Sequence, residues 1–253
     1  METIHLEKLT KTYTSESTDI ILDHKTKPAI TRTVLHELTM DIPVGQLTVM
    51  LGRSGCGKST LLRLLNGEEP LDSGEIQKPE GMRTALLKPD PYVITWTSVR
   101  QNIAMAGGAG RTPEERAEMA DRLMKLVKLE EFSDLTPVAL STGMRQRLGL
   151  ARVLAGQSKL LLMDEPFAAL DFITREELQN ELLAIQKKMP RTILLVTHQL
   201  EEALLLAQKI VVLYGDSSIR EFDLTHLPYP RDLQLPQMQL LRQEITAACR
   251  EKA

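Results

Sequence analysis

The 253-residue chain carries 31 Lys+Arg against 34 Asp+Glu, a formal net charge of −3, with 42% apolar and 26% charged residues. That balance belongs to an ordinary globular chain: it excludes bulk disorder and lacks the basic footprint of a nucleic-acid binder. The longest run without Asp, Glu, Lys or Arg, Ile42–Gly52, falls well short of the ~20 apolar residues that span a bilayer. No secretory signal is expected at Met1–His5, and two cysteines, Cys56 and Cys249, argue against a disulfide framework or zinc site and suit a reducing cytoplasm.

In chain order, Ile4–Leu9 alternates as a strand, and the polar stretch Ser15–Thr33 reads as an exposed hairpin or loop, with a short strand open at Ile20–Leu22. Val34–Ile42 and Leu47–Leu51 are strands. The apolar helix through Leu61–Leu65 stops near Asn66-Gly67, and Thr84–Leu87 is a short strand. From Ser98 to Gly156 the pattern is helical, at Val99–Met105, Pro113–Val127 and Ser141–Ala155. Thr112-Pro113-Glu114-Glu115 supplies a cap, a first-turn proline and early acids. Then follow strand Leu160–Met163, helix Thr174–Lys188, strand Thr192–Val196, helix Glu201–Gln208, a final strand Ile210–Tyr214 and an amphipathic tail around Met238–Ala248. Strands alternating with helices predict an α/β fold with a largely parallel sheet, interrupted by a helical subdomain. The whole chain, 1–253, reads as one domain: a core from 1–87 and 157–222, a helical subdomain at 88–156 and a tail helix at 223–253.

Gly52-Arg53-Ser54-Gly55-Cys56-Gly57-Lys58-Ser59-Thr60 fits the phosphate-loop pattern, with an apolar strand before it and an apolar helix after. Its glycines let successive N–H groups turn toward phosphate oxygens, and the helix N-terminus adds partial positive charge. Lys58 is the cation for the terminal phosphates; the Ser59 hydroxyl is a Mg²⁺ ligand. Cys56 reads as a small loop residue and not as a nucleophile. The apolar run Leu160–Met163 ends in Asp164-Glu165, putting two carboxylates at the carboxyl edge of the sheet, where α/β sites lie. Asp164 is assigned to Mg²⁺ and Glu165 to the attacking water. His198 ends the next strand on the same edge. Ser141-Thr142-Gly143 opens a second helix whose N-terminus can face an anion, on the helical lobe and away from the phosphate loop.

With those residues in view, the chain resembles the nucleotide-binding subunit of ATP-binding cassette (ABC) transporters. The likeness is carried by Tyr13, Gly52–Ser59, Leu140–Arg147, Leu162–Pro166, Ala169–Asp171 and His198, in that order. The stretches Asp164–Asp171 and Val196–Ala203 look most like importer ATPases of the nitrate, sulfonate and taurine group. The resemblance implies a P-loop NTPase core, an antiparallel β part near the N-terminus and an inserted helical subdomain. It implies ATP and Mg²⁺ as ligands, with Tyr13 stacking on adenine, Gly52–Thr60 holding the phosphates, and Lys58, Glu165 and His198 in catalysis. It further implies a head-to-tail pair, a homodimer in the simplest case, in which Ser141, Thr142 and Gly143 of one subunit face the ATP of the other and Asp171 lies in the adjoining turn. Separate transmembrane permease subunits and an extracytoplasmic solute-binding protein follow as partners, with this chain peripheral on the cytoplasmic face of the membrane and no nucleic acid involved.

The sequence departs from that pattern in three places. Lys88-Pro89 stands where the family usually has a Mg²⁺-ligating glutamine, and a lysine cannot ligate a cation, so Lys88 is expected to point to a phosphate or away. Thr142 replaces a usual glycine, and Ser15–Thr33 is longer than the family's link after Tyr13, which leaves a half-buried strand-end role open for that tyrosine. Trp96 reads either as a transmembrane-subunit contact or as a core residue of the helical subdomain. A regulatory nucleotide-binding module with little turnover is the competing function. A DNA-repair P-loop protein would want a long coiled coil, and a small-molecule kinase has no use for a second anion-binding helix.

Overall fold

The computed structural model describes residues 2–15, 30–108 and 110–251. Most of the polar stretch after Tyr13, including Ile20–Leu22, lies outside the described residues. The long strands β1 (Thr3–Ser15) and β2 (Ile30–Pro43) pair antiparallel, and β4 (Ser73–Gln77) adds to the other edge of β1, making a three-stranded sheet. A second sheet runs in the order β5 (Thr84–Leu87), β6 (Leu160–Asp164), β7 (Thr192–Val196), β3 (Leu47–Leu51), β8 (Lys209–Leu213), β9 (Ile219–Asp223). It is parallel except for β9, which turns back antiparallel on β8. The α/β fold with a mainly parallel sheet is thus the one expected.

Burial explains the placement of the central strands. Each of β3, β6 and β7 is buried at every position, as a strand covered on both faces must be. Alternate residues feed two cores. Leu47, Val49, Leu161, Met163, Ile193 and Leu195 face a core shared with the helical segment, whereas Met50, Leu162, Leu194 and Val196 face α1 (Lys58–Asn66) and the inner side of β1 and β2.

The middle of the chain folds as helices α2 (Val99–Ala106), α3 (Pro113–Leu126) and α4 (Thr142–Ala155), close to the expected bounds. Ser98 and Thr112 each close a reciprocal capping box, with Gln101 and Glu115, which fixes where α2 and α3 begin. Beyond β6 come α5 (Phe172–Lys188) and α6 (Leu200–Leu206); in the tail, helix runs from Pro236 to Glu251 as α7.

Two strands depart from the expectation: Ile210–Tyr214 is not the final strand, because β9 follows it, and β4 was not foreseen. Four of the five residues of β4 are exposed, so it has no apolar alternation to read.

Candidate nucleotide site

Parallel register sets the site. Met50 of β3 and Asp164 of β6 both lie opposite Val196 of β7. The phosphate loop, the acidic pair and the Thr197-His198 step therefore leave the sheet at one carboxyl edge. A cleft of about 440 Å³ opens there, lined among others by Gly55, Lys58, Ser59, Asp164, Glu165 and His198.

The loop's glycines are required by space as well as rotation. A Cβ on Gly52 would stand 2.6 Å from the Leu213 carbonyl oxygen. Gly57 has φ of +105°, and its Cβ would meet Leu35 at 2.6 Å, so both backbone and packing exclude a side chain. Gly57 caps α1 without a side-chain hydrogen bond and no acid sits in the first turn, leaving the helix N-terminus open to an anion. Lys58 is buried, and its Nζ donates to the carbonyls of Gly52 at 2.7 Å and Arg53 at 2.8 Å. The loop is thus folded around the ammonium. Arg53, Ser54 and Gly55 face solvent, and Cys56 is buried with its Sγ 3.8 Å from Lys58 Nζ.

Asp164 is buried at the end of β6. Desolvation raises its carboxyl pKa above the ordinary value, against a lowering hydrogen bond from Ser59; the neighbouring Glu165 raises it further and Lys58 lowers it. A Ser hydroxyl joined to a buried carboxylate is a pair of hard oxygen donors, the set a small divalent cation takes when phosphate and water complete its shell. Glu165 follows with φ of +48°, a left-handed conformation uncommon for a side-chain-bearing residue, held by its N–H donating to Val196 O at 2.9 Å. That turn aims the carboxylate at His198, whose Nδ1 lies 3.1 Å from Oε1. Behind them the Thr197 hydroxyl donates to buried Glu202 at 2.6 Å.

Tyr13, at the end of β1, is fixed by its hydroxyl, which donates to Glu69 and lies 3.5 Å from Thr60 Oγ1 on α1. Lys11 Nζ stands 5.5 Å from the ring centroid. Opposite Tyr13 in the β1–β2 register is Arg32, which also lines the cleft. Arg32 was missed because only strand pairing, not any local motif, brings it there.

Ser141–Gly143 do not line this cleft. Ser141 caps α4 by accepting from Met144 N at 3.2 Å, and Thr142 is the first helical residue, its hydroxyl 3.3 Å from an Arg145 guanidinium nitrogen. Gly143 packs so close to the turn after Glu165 that a Cβ would stand 3.1 Å from Ala169 O. Asp171 caps α5, accepting from Thr174 N at 3.0 Å; that bond keeps its carboxyl pKa below the usual value. Lys88 points away from the loop and pairs with Glu68 at 2.8 Å. Trp96 is 78% exposed, so its reading as a core residue is set aside.

The ABC transporter family matches residues 35–168, from β2 through the phosphate loop and α4 to the acidic pair. An aliphatic sulfonates import ATP-binding protein of Pseudomonas fluorescens is 41% identical over 209 residues, covering 83% of this chain and 78% of its own. A taurine import ATP-binding protein of Rhizobium johnstonii is 42% identical over 187 residues, covering 71% of each chain. A nitrate import ATP-binding protein of Synechococcus elongatus is 36% identical over 207 residues, covering 78% of this chain and 75% of its own. In fold, the chain is similar to the ATP-binding cassette MJ0796, solved as a dimer in a post-hydrolysis state with ADP and phosphate, with a TM-score of 0.73 at 24% identity over 87% of this chain and 98% of that one. The chain belongs to the ABC transporter family, as one of its ATP-binding, ATP-hydrolysing subunits.

Proposed function

We propose that this chain drives the import of a small sulfonated or oxyanionic solute through separate permease subunits, using ATP held between two head-to-tail copies. The observation that carries the reading is the convergence of Lys58, Ser59, Asp164, Glu165 and His198 on one cleft at the sheet edge. The solute class rests on likeness to relatives named for sulfonate, taurine and nitrate import.

In this reading the adenine stacks on Tyr13, and the N–H groups of Gly55–Thr60 together with Lys58 take the phosphates. Ser59 and Asp164 would hold Mg²⁺, which neutralises charge on the terminal phosphates when bound. Glu165 accepts a proton from the water that attacks the γ-phosphorus, and His198 steadies the Glu165 carboxylate and contacts the γ-phosphate. Ser141, Thr142 and Gly143 lie outside their own cleft, which suits a contact to the ATP of a second copy, with Asp171 in the adjoining turn. ATP would close the pair and hydrolysis release it, working the permease from the cytoplasmic face of the membrane, with a solute-binding protein delivering cargo on the far side.

Reading the chain as a low-turnover regulatory module drew on the Lys88 substitution and on Thr142 in place of a glycine. Thr142 sits in the first turn of α4 without disturbing the Ser141 cap. Lys88 is occupied by Glu68, so that argument loses its footing. The deciding experiment purifies the chain with its permease partners in vesicles and measures ATP hydrolysis and uptake with sulfonates, taurine and nitrate. Hydrolysis unaffected by every solute, with no uptake, would rule the proposal out.

A further inference from the structure

We propose that Arg32 is an additional phosphate-binding residue of the nucleotide site, a second side-chain cation brought to it by β2. The inference rests on the ATP-site reading above and extends it to a residue outside the motifs.

Arg32 and Tyr13 are direct partners in the antiparallel β1–β2 ladder, so their side chains leave the sheet on the same face. That face looks onto the start of α1: the Tyr13 hydroxyl reaches Thr60, and an Arg32 guanidinium nitrogen lies 3.4 Å from the Gly55 carbonyl in the middle of the phosphate loop. Arg32 lines the cleft together with Lys58, Ser59, Asp164, Glu165 and His198. Besides His198, the charged groups lining that cleft are Lys58, buried and already committed to two loop carbonyls, and the acids Asp164 and Glu165. ATP brings further negative charge into a site with two carboxylates, and Arg32 is the remaining permanent cation among the lining residues. Among the described residues, its hydrogen bond to Gly55 is long and made to a neutral acceptor. A phosphate oxygen offers a shorter, charge-assisted and bidentate partner, and Arg32 is exposed, so its head can swing without losing packing. The guanidinium thus reaches the phosphate loop at Gly55, within swing of a phosphate held by that loop.

The test is equilibrium binding of ATP and ADP by calorimetry to the wild-type chain, Arg32→Gln, Arg32→Lys and Lys58→Ala, with melting temperatures of each without nucleotide. The expected result is roughly tenfold weaker ATP binding in Arg32→Gln, partly restored in Arg32→Lys, which keeps the charge but not the fork, with both nucleotide-free melts close to wild type. ATP affinity within twofold of wild type in Arg32→Gln would overturn the proposal, and if Lys58→Ala still loses ATP the site reading survives. Equal weakening in Arg32→Gln and Arg32→Lys, with lowered melts, would also overturn it, assigning Arg32 to loop bracing alone. A wild-type chain that binds no ATP would instead fail the underlying reading.

Discussion

The Nδ1 of His198 lies 3.1 Å from Oε1 of Glu165, joining the second residue after β7 to the acid that follows β6. Glu165 takes a left-handed backbone conformation at this step, and its carboxylate meets the exposed imidazole. Glu165→Gln keeps size and hydrogen bonding but removes the base. Hydrolysis should fall by about 10²–10⁴-fold while ATP binding persists. If two copies close on ATP, this variant should accumulate as an ATP-held dimer on size exclusion. His198→Ala should also slow turnover, and the double variant should be little worse than Glu165→Gln alone, because the two groups act as a unit.

If Asp164 holds Mg²⁺ as proposed, its burial couples metal binding to pH. Burial raises its folded-state pKa above the ordinary 3.8. A group shifted upward contributes stability that is full below its unfolded pKa and lost as pH rises through the folded one, so at neutral pH the ionised carboxylate is a cost to the empty protein. A bound cation removes that cost and competes with the proton. Melting temperature should therefore rise more on adding Mg²⁺ with ATP at neutral pH than under acidic conditions. Asp164→Asn should melt higher than wild type without ligand at neutral pH, lose that advantage in acid, and lose Mg²⁺-dependent hydrolysis. Thermal melts across pH, with and without Mg²⁺ and ATP, read the stability outcomes, and a phosphate-release assay reads the loss of hydrolysis.

The convergence of the candidate residues on one sheet edge was legible because each sits in a contiguous motif at the end of an apolar run. Gly52–Thr60 follows Leu47–Leu51, Asp164-Glu165 follows Leu160–Met163, and His198 follows Thr192–Thr197. Parallel register then aligns the ends without further information. What could not be read depends on pairing across distance or on weak burial. Arg32 reaches the cleft only because the β1–β2 register sets it opposite Tyr13. β4 and β9 are edge strands whose mostly exposed or half-exposed residues, Ser73–Gln77 and Ile219–Asp223, carry no clean alternation. Trp96 was ambiguous because one aromatic in a loop has no periodicity to tell core from surface.

Lys88 gives a sharp negative test. Its ammonium is bound to Glu68, 2.8 Å away on a partly exposed surface, and that partner also holds the Glu68 carboxyl pKa down. An exposed pair of this kind is worth at most about 1 kcal/mol. Lys88→Gln should therefore leave ATP affinity and the Mg²⁺ dependence of hydrolysis unchanged, with stability lowered by less than that amount in a denaturant titration. A shifted Mg²⁺ profile would reinstate this position as part of the metal site.

Trp96 is held out to solvent by a firm support. The loop bearing it is tied to Asn102, a fully buried side chain on α2 that accepts from Ile94 N at 2.8 Å and donates to Ile94 O at 2.9 Å and Thr97 Oγ1 at 2.8 Å. Arg152 on α4 donates in turn to Asn102 Oδ1 at 2.9 Å. Tyr92, on the same loop, is as exposed as Trp96, at 78%. Two large rings displayed on a braced loop bury little area within the chain, which suits a docking point for the permease proposed above. Trp96→Ala should change folding stability by no more than about 0.5 kcal/mol, as a surface substitution does, yet reduce recovery of the permease when the complex is purified. Asn102→Ala should behave differently, losing roughly 1–3 kcal/mol because Arg152 and the loop groups are left without their partner. If Trp96→Ala melts like Asn102→Ala, the ring is part of the fold and the docking assignment fails; if it melts like wild type but still recovers the permease in full, the contact lies elsewhere.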